Sequence, residues 1–261
     1  MAFRQADAGA FLLRIEDLDR GRSRAEYTAA LCEDLAWLGL AWREPLLFQS
    51  SRAAAYREAL TLLERRGLSY PCFCTRTSIA TTLAADIAAA AEAPHRPPVQ
   101  GLAPTYPGTC RTLTSREREQ RLAGGEPHVL RLDAASAALQ PEATALEFME
   151  HGVRVRVQPQ LLGDIVLARK DLPAAYHLAV VLDDAFQGVT LVTRAEDLLP
   201  STHVQRLLQA LLGLPPPRYA HHRLILDAQG RKLSKRDGAP TLRSLRESGC
   251  TAAMLIAQLE L

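Results

Sequence analysis

The hydrophobic period of this chain switches repeatedly between residues 9 and 74, and that succession limits its fold more than any other feature. GAFLLRIEDLDR (9–20) holds a short apolar run, Phe11 to Ile15, that empties into an acidic loop. SRAEYTAALCEDLAWLGL (23–40) places Ala30, Leu31, Leu35 and Leu38 at helical spacing, and Gly39 suits a C-terminal cap. SSRAAAYREALTLLERRGL (50–68) repeats the pattern through Tyr56, Leu60 and Leu63, with Ser51 as N-cap and Gly67 as stop. The extended run SYPCFC follows. Parallel strands need a crossover connection, which helices supply. Strand, helix, helix, strand therefore predicts an α/β domain with a parallel sheet.

Beyond residue 74 the character changes. Residues 75 to 110 are Ala-rich and then Pro-rich, and read as an insertion with one helix and an irregular arm. PHVLRLD (127–133) and VRVRVQPQL (153–161) alternate as half-exposed antiparallel strands do. DIVLARKD (164–171) is a further strand. The length of AAYHLAVVLDDAFQ (174–187) favours a helix, and GVTLVTRAEDLL (188–199) is a strand running into a polar loop. STHVQRLLQALLGLPPP (201–217) is a helix capped by Ser201, faced by Leu207, Leu208, Leu211 and Leu212, and ended by Gly213. RLILDAQGRKLS reads as a hairpin, and a helical tail closes the sequence.

The 261 residues carry a net charge of +2, which by itself points neither toward nor away from a polyanion. No signal-peptide layout opens the chain and no apolar run is long enough for a membrane span, so a cytoplasmic location is expected. Cys72, Cys74 and Cys110 cluster, whereas Cys32 and Cys250 stand alone. Without a secretory signal, thiols or a metal site are expected rather than disulfides. Zn²⁺ takes four ligands, and Tyr106, His95 and His128 are candidates beside the three cysteines. Three buried thiols without a metal are the plainer alternative.

Of the 31 basic residues only Lys170, Lys232 and Lys235 are lysines, and two of them fall within KLSKR. The following DGAP excludes regular structure there. A pair of mobile point charges on a loop suits phosphate oxygens whose charge shifts during attack on an α-phosphorus. An ordinary solvated turn is the competing explanation. Glu16, Asp17 and Asp19 stand where a strand ends, the usual place for a ligand in an open α/β sheet. Arg194 ends another strand and could clamp a carboxylate bidentately. Tyr176, His177, Asp183, Asp184 and Asp197 lie in the same two segments; a core tyrosine and a surface ion pair are the bland readings.

LLRIEDLD, YPCFCTR, YPGTCR, AYHLAVVLDDAFQGVT, VTRAEDLL and GRKLSKRDGAPTL together resemble the glutamyl-tRNA synthetase group of class I aminoacyl-tRNA synthetases, over roughly residues 10–245. KLSKR is similar to that class's KMSKS loop. The closer resemblance is to the short paralogues that lack an anticodon-binding domain and glutamylate the queuosine base of tRNA(Asp). It implies a Rossmann-like parallel sheet at 1–71 and 145–200, an inserted zinc-containing, acceptor-binding-like α+β subdomain at 72–144, and a C-terminal helical segment with the KMSKS-like loop at 201–261. It implies glutamate binding by Glu16, Tyr176 and Arg194, ATP contact by Lys235 with Lys232 beside it, and one zinc on Cys72, Cys74, Tyr106 and Cys110. ATP with Mg²⁺, L-glutamate and tRNA(Asp) are the implied substrates, and a monomer is expected. The family's opening strand, its Arg-x-x-x-Ser element and its His-Ile-Gly-His-like signature have no counterpart in this sequence, so the core is expected to be N-terminally incomplete. Ala195 stands where the family usually has Gly. An inactive zinc- and RNA-binding remnant, or a fragment of a glutamyl-tRNA synthetase, are the alternative readings.

Overall fold

A computed structural model of the chain describes residues 9–19, 21, 23–91, 105–226, 230, 232 and 240–258. In chain order its elements begin with β1 (Leu12–Ile15), α1 (Ala25–Trp37), β2 (Arg43–Phe48), α2 (Ala53–Arg65), β3 (Ser69–Cys72), α3 (Arg76–Ala91) and α4 (Ser115–Ala123). They continue with β4 (Val129–Leu132), α5 (Ala134–Ala138), β5 (Glu147–Glu150), β6 (Val153–Arg156), β7 (Val166–Arg169) and α6 (Tyr176–Gln187). Last come β8 (Leu191–Ala195), α7 (Leu199–Leu211), β9 (Arg218–His222), α8 (Leu242–Glu247) and α9 (Ala252–Gln258). The chain divides into two compact units, one of residues 1–52, 191–198 and 219–261, the other of 53–190 and 199–218. Among the described residues no helix is long and apolar enough to cross a membrane.

In the first unit β1 and β2 pair in parallel, with Leu12 opposite Arg43 and Ile15 opposite Phe48. The crossover between them is α1. It stops at Leu38 because Gly39 takes φ +77°, a left-handed conformation that glycine adopts without strain, and Leu40 N–H closes on Leu35 O at 3.0 Å. β2 has no counterpart in the sequence reading: Pro45 and the lack of alternation argue against a strand. Proline is tolerated because, among the described residues, β2 pairs only with β1. Past β1, the Asp17 carboxylate accepts from Ser50 N–H at 2.8 Å and Ser50 Oγ at 2.5 Å. Asp17 therefore spends its charge tying this loop to the exit of β2. β8 and β9 are neighbouring strands of this unit. Arg243 and Arg246 of α8 both reach Glu33 of α1, at 3.1 and 2.9 Å.

The second unit carries an antiparallel sheet, β3–β4–β7, with Tyr70 opposite Arg131 and Cys72 opposite Val129. This corrects the expected parallel sheet through SYPCFC: β3 finds its partner after the insertion, and the return direction is antiparallel. β5 and β6 form a hairpin closed by His151 (φ 47°) and Gly152 (φ 82°), the positive-φ pair such tight turns need. β5 is too short to leave a periodic signal. Helices α2, α6 and α7 supply the core. Tyr56, Leu60 and Leu63 recur at helical spacing on α2 and are buried, as are Leu178 and Val181 on α6 and Val204, Leu207, Leu208 and Leu211 on α7. Each such side chain contributes about 1.5–3 kcal/mol by leaving water. Leu132 on β4 and Leu167 on β7 are fully buried as well.

Two caps differ from expectation. Helix α2 begins at Ala53, and Ser51 instead donates its hydroxyl to Phe48 O at 2.7 Å. Helix α7 begins at Leu199, which leaves Ser201 inside its first turn. α6 has the expected length and ends on Gly188, whose φ of +66° makes the left-handed cap.

Candidate active site and metal-ligand cluster

Cys72 ends β3, Cys74 follows it, and Tyr106 and Cys110 arrive from the far side of the insertion. The three sulfurs lie within 4.8 Å of one another. Tyr106 Oη stands 3.3 Å from Cys72 Sγ and 3.5 Å from Cys74 Sγ, and Cys74 Sγ is 3.5 Å from Cys110 Sγ. Gly108, at φ +84°, turns the chain so that Cys110 N–H donates to Tyr106 Oη at 2.8 Å. Phe73 N–H points at Cys110 Sγ at 3.4 Å. Of the candidates for a fourth ligand, Tyr106 is the one whose side chain stands beside the thiols. His128 turns elsewhere, against the Phe73 ring at 5.7 Å, and His95 lies outside the described residues.

The donor set can be tested against a tetrahedral ion. With Zn–S bonds of about 2.3 Å and Zn–O of about 2.0 Å, sulfur–sulfur edges would be about 3.8 Å and sulfur–oxygen edges about 3.5 Å. The Tyr106–Cys72, Tyr106–Cys74 and Cys74–Cys110 distances lie within a few tenths of an ångström of these, and the three sulfurs are close enough to share one ion, so the residues fit the group. Burial would push the Cys72 thiol up, but the contacts with Tyr106 and Arg131 outweigh it and the net direction is down. Burial holds the Cys74 thiol and the Tyr106 phenol up.

A second polar network stands behind the cluster. Asp164 is buried, and its carboxylate accepts from Tyr70 Oη at 2.5 Å, Arg111 Nη1 at 3.0 Å and Ala134 N–H at 3.0 Å. Burial, followed by the bond to Asp164, drives the Tyr70 phenol upward, so it stays a donor. Arg131 Nη1 donates to Asp164 O at 2.8 Å, and its guanidinium lies 3.9 Å above the centre of the Tyr106 ring. The sequence reading missed Arg131, because strict alternation on VLRL predicts a half-exposed strand, whereas this side chain is 9% exposed.

In the first unit, Glu16 is exposed just past the carboxyl end of β1. Arg194 lies half-buried on β8. Its Nε–H donates to His221 Nε2 at 3.1 Å, an Nη2–H donates to Leu198 O at 3.3 Å, and its guanidinium is 5.5 Å from the Tyr219 ring centre. These contacts fix the plane of the fork. His221 accepts at Nε2, which places its proton on Nδ1. The loop beyond Arg194 grips the lysine segment: Glu196 accepts from Leu224 N–H at 3.2 Å, and Asp197 pairs with Lys232 Nζ. Lys232 also forms an isolated antiparallel bridge with Leu226; the rest of the segment read as a hairpin lies largely outside the described residues. Lys235 lies outside the described residues. In the second unit, Tyr176 is the first residue of α6, 38% exposed, with its ring edge-on to His177. Asp183 is fully buried and accepts from Tyr56 Oη at 2.7 Å.

The family model for class I tRNA synthetases (E and Q), catalytic domain, matches residues 1–261. The chain belongs to that family. It is 43% identical to the glutamyl-Q tRNA(Asp) synthetase of Rhodobacter capsulatus, across 95% of this chain and 87% of that protein. It is 41% identical to glutamate–tRNA ligase 2 of Nitrosococcus oceani, across 92% of this chain but 49% of that protein. The crystal structure of a glutamate–tRNA synthetase from Elizabethkingia anophelis superposes with a TM-score of 0.70 at 27% identity, over 90% of this chain and 48% of that one. The chain thus spans about half the length of the solved structures it matches. The mixed α/β sheets are those of a class I synthetase catalytic fold.

Proposed function

We propose that this chain activates L-glutamate with ATP and Mg²⁺ and transfers it to the queuosine base of tRNA(Asp). The observation that carries the reading is the similarity to two glutamyl-Q tRNA(Asp) synthetases, at 43% identity across 95% of this chain and 44% across 98% of it. In the first step a glutamate carboxylate oxygen attacks the α-phosphorus of ATP and pyrophosphate leaves, giving glutamyl-adenylate. Arg194 receives a substrate carboxylate on a guanidinium whose orientation is already held by His221 and Leu198 O. Glu16 takes the ammonium group, and Tyr176 is assigned to glutamate through the family resemblance. Lys235, with Lys232 beside it, neutralises phosphate oxygens as charge shifts onto the leaving group. Residues 1–71 and 145–200 then form the Rossmann-like core and 72–144 the inserted acceptor-binding-like subdomain.

Cys72, Cys74, Tyr106 and Cys110 hold one structural Zn²⁺ in this reading. The ion would pin the end of β3 to the far side of the insertion, and closed four-ligand sites of this kind serve folding rather than reaction.

Glutamate-dependent ATP–pyrophosphate exchange without tRNA tests the first step. Labelled glutamate and tRNA(Asp) test the second: the product is digested to nucleosides and the labelled one identified. Label on queuosine is expected. Label on the 3′-terminal adenosine would assign the chain to glutamate–tRNA ligase activity instead, and absent exchange would sink the activation step.

A further inference from the structure

We propose that Arg131 is a positioning residue of the metal cluster, holding the Tyr106 ring in its ligand orientation and offsetting the negative charge that three thiolates bring to one ion. The proposal rests on the zinc reading above. Its ground is geometric. Arg131 sits on β4 directly opposite Tyr70 of β3, the strand that carries Cys72. Its guanidinium lies 3.9 Å from the Tyr106 ring centre, whereas Arg118 over Tyr70 and Arg121 over Phe73 stand at 5.6 and 5.4 Å. The shorter distance is that of a planar group laid flat on a ring, which arginine can do and lysine cannot. The far end of the fork is fixed by Asp164 O at 2.8 Å.

The charge argument is independent of the stacking. Three thiolates on a divalent cation leave a net negative charge in a site where Cys72 and Cys110 are almost fully buried, at 1% and 3% exposure. A buried anion needs a partner that stays charged, and arginine is the side chain that does. Arg131 is itself buried, and its Nε has no hydrogen-bond partner among the described residues. A buried cation with an unmade bond is costly on its own. An anionic cluster alongside accounts for its presence.

The test is metal affinity, measured on the full chain by chelator competition after reloading with Zn²⁺, and by the thiolate absorption bands after reloading with Co²⁺. Arg131→Met is expected to weaken zinc binding 10–100-fold, the usual loss when an outer partner of a ligand is removed. Arg131→Lys keeps the charge and loses the stacking, so a smaller loss with shifted Co²⁺ bands is expected. It also serves if the methionine variant does not fold. Wild-type affinity and spectrum in either folded variant would overturn the proposal while leaving the zinc reading intact. A wild-type chain that retains no stoichiometric zinc would overturn both.

Discussion

At the scale of single residues, the site turns on planar, directional groups. The guanidinium of Arg194 is oriented by His221 and Leu198 O before any ligand arrives. Arg194→Lys keeps the charge but loses that fork, and a charged hydrogen bond contributes about 1.5–3 kcal/mol. Glutamate-dependent pyrophosphate exchange should show kcat/KM for glutamate falling about 10–100-fold, with KM for ATP little changed. Tyr106→Phe is the matching experiment in the other unit. The ring still fills the space beneath Arg131, but the oxygen is gone. Zinc should bind more weakly in a chelator titration, and the metal-free protein should lose a little of its thermal midpoint because Cys110 N–H loses its acceptor; unchanged zinc affinity would mean Tyr106 is not a ligand. The cysteines were legible in the sequence because three thiols near one proline-rich arm suggest a common ligand. Arg131 was not, since alternation along VLRL carries no sign that one side chain of a half-exposed strand is buried against a ring 25 residues earlier.

At the scale of elements, buried polar groups set the stability. Asp164 joins β7's approach to Tyr70 on β3, to Arg111 and to the start of α5. Asp164→Ala leaves Arg111, Tyr70 and Ala134 N–H without their acceptor; Arg111 reaches solvent, and each buried group left unsatisfied costs about 1–3 kcal/mol. Urea unfolding should register it as a lower midpoint at unchanged slope. His203 on α7 gives a pH dependence. Its Nδ1 accepts from Gln158 N–H at 3.0 Å, and burial lowers its pKa from the ordinary 6.5. The unfolded chain therefore binds a proton that the folded chain refuses. The stabilisation is complete above 6.5 and is lost as pH falls from there toward the lowered folded value. His203→Gln should flatten that part of the stability–pH curve. The long helices were readable because their apolar stripes repeat over several turns. β2 and β5 were not, and neither was the direction of β3, because strand pairing joins segments far apart in sequence and period alone does not say which.

At the scale of the whole molecule, each unit carries part of the proposed chemistry: Glu16, Arg194 and Lys232 in one, Tyr176 and the thiol cluster in the other. Replacing queuosine by guanosine in tRNA(Asp) should abolish transfer of labelled glutamate and leave pyrophosphate exchange intact; retained transfer would place the acceptor elsewhere on the RNA. The thiol cluster has a further consequence for chain length. Cys74 and Tyr106 are 32 positions apart yet their side chains stand 3.5 Å apart, so their contact closes a loop in the topological sense, one that includes α3. The entropic cost of such a loop grows only with the logarithm of its length, about 0.6 kcal/mol for each doubling. Insertions or deletions between the two anchors are therefore cheap, while the same change between Tyr106 and Cys110 would break the four-residue turn that sets the ligand spacing. The arm is where this fold can vary in size without disturbing either end.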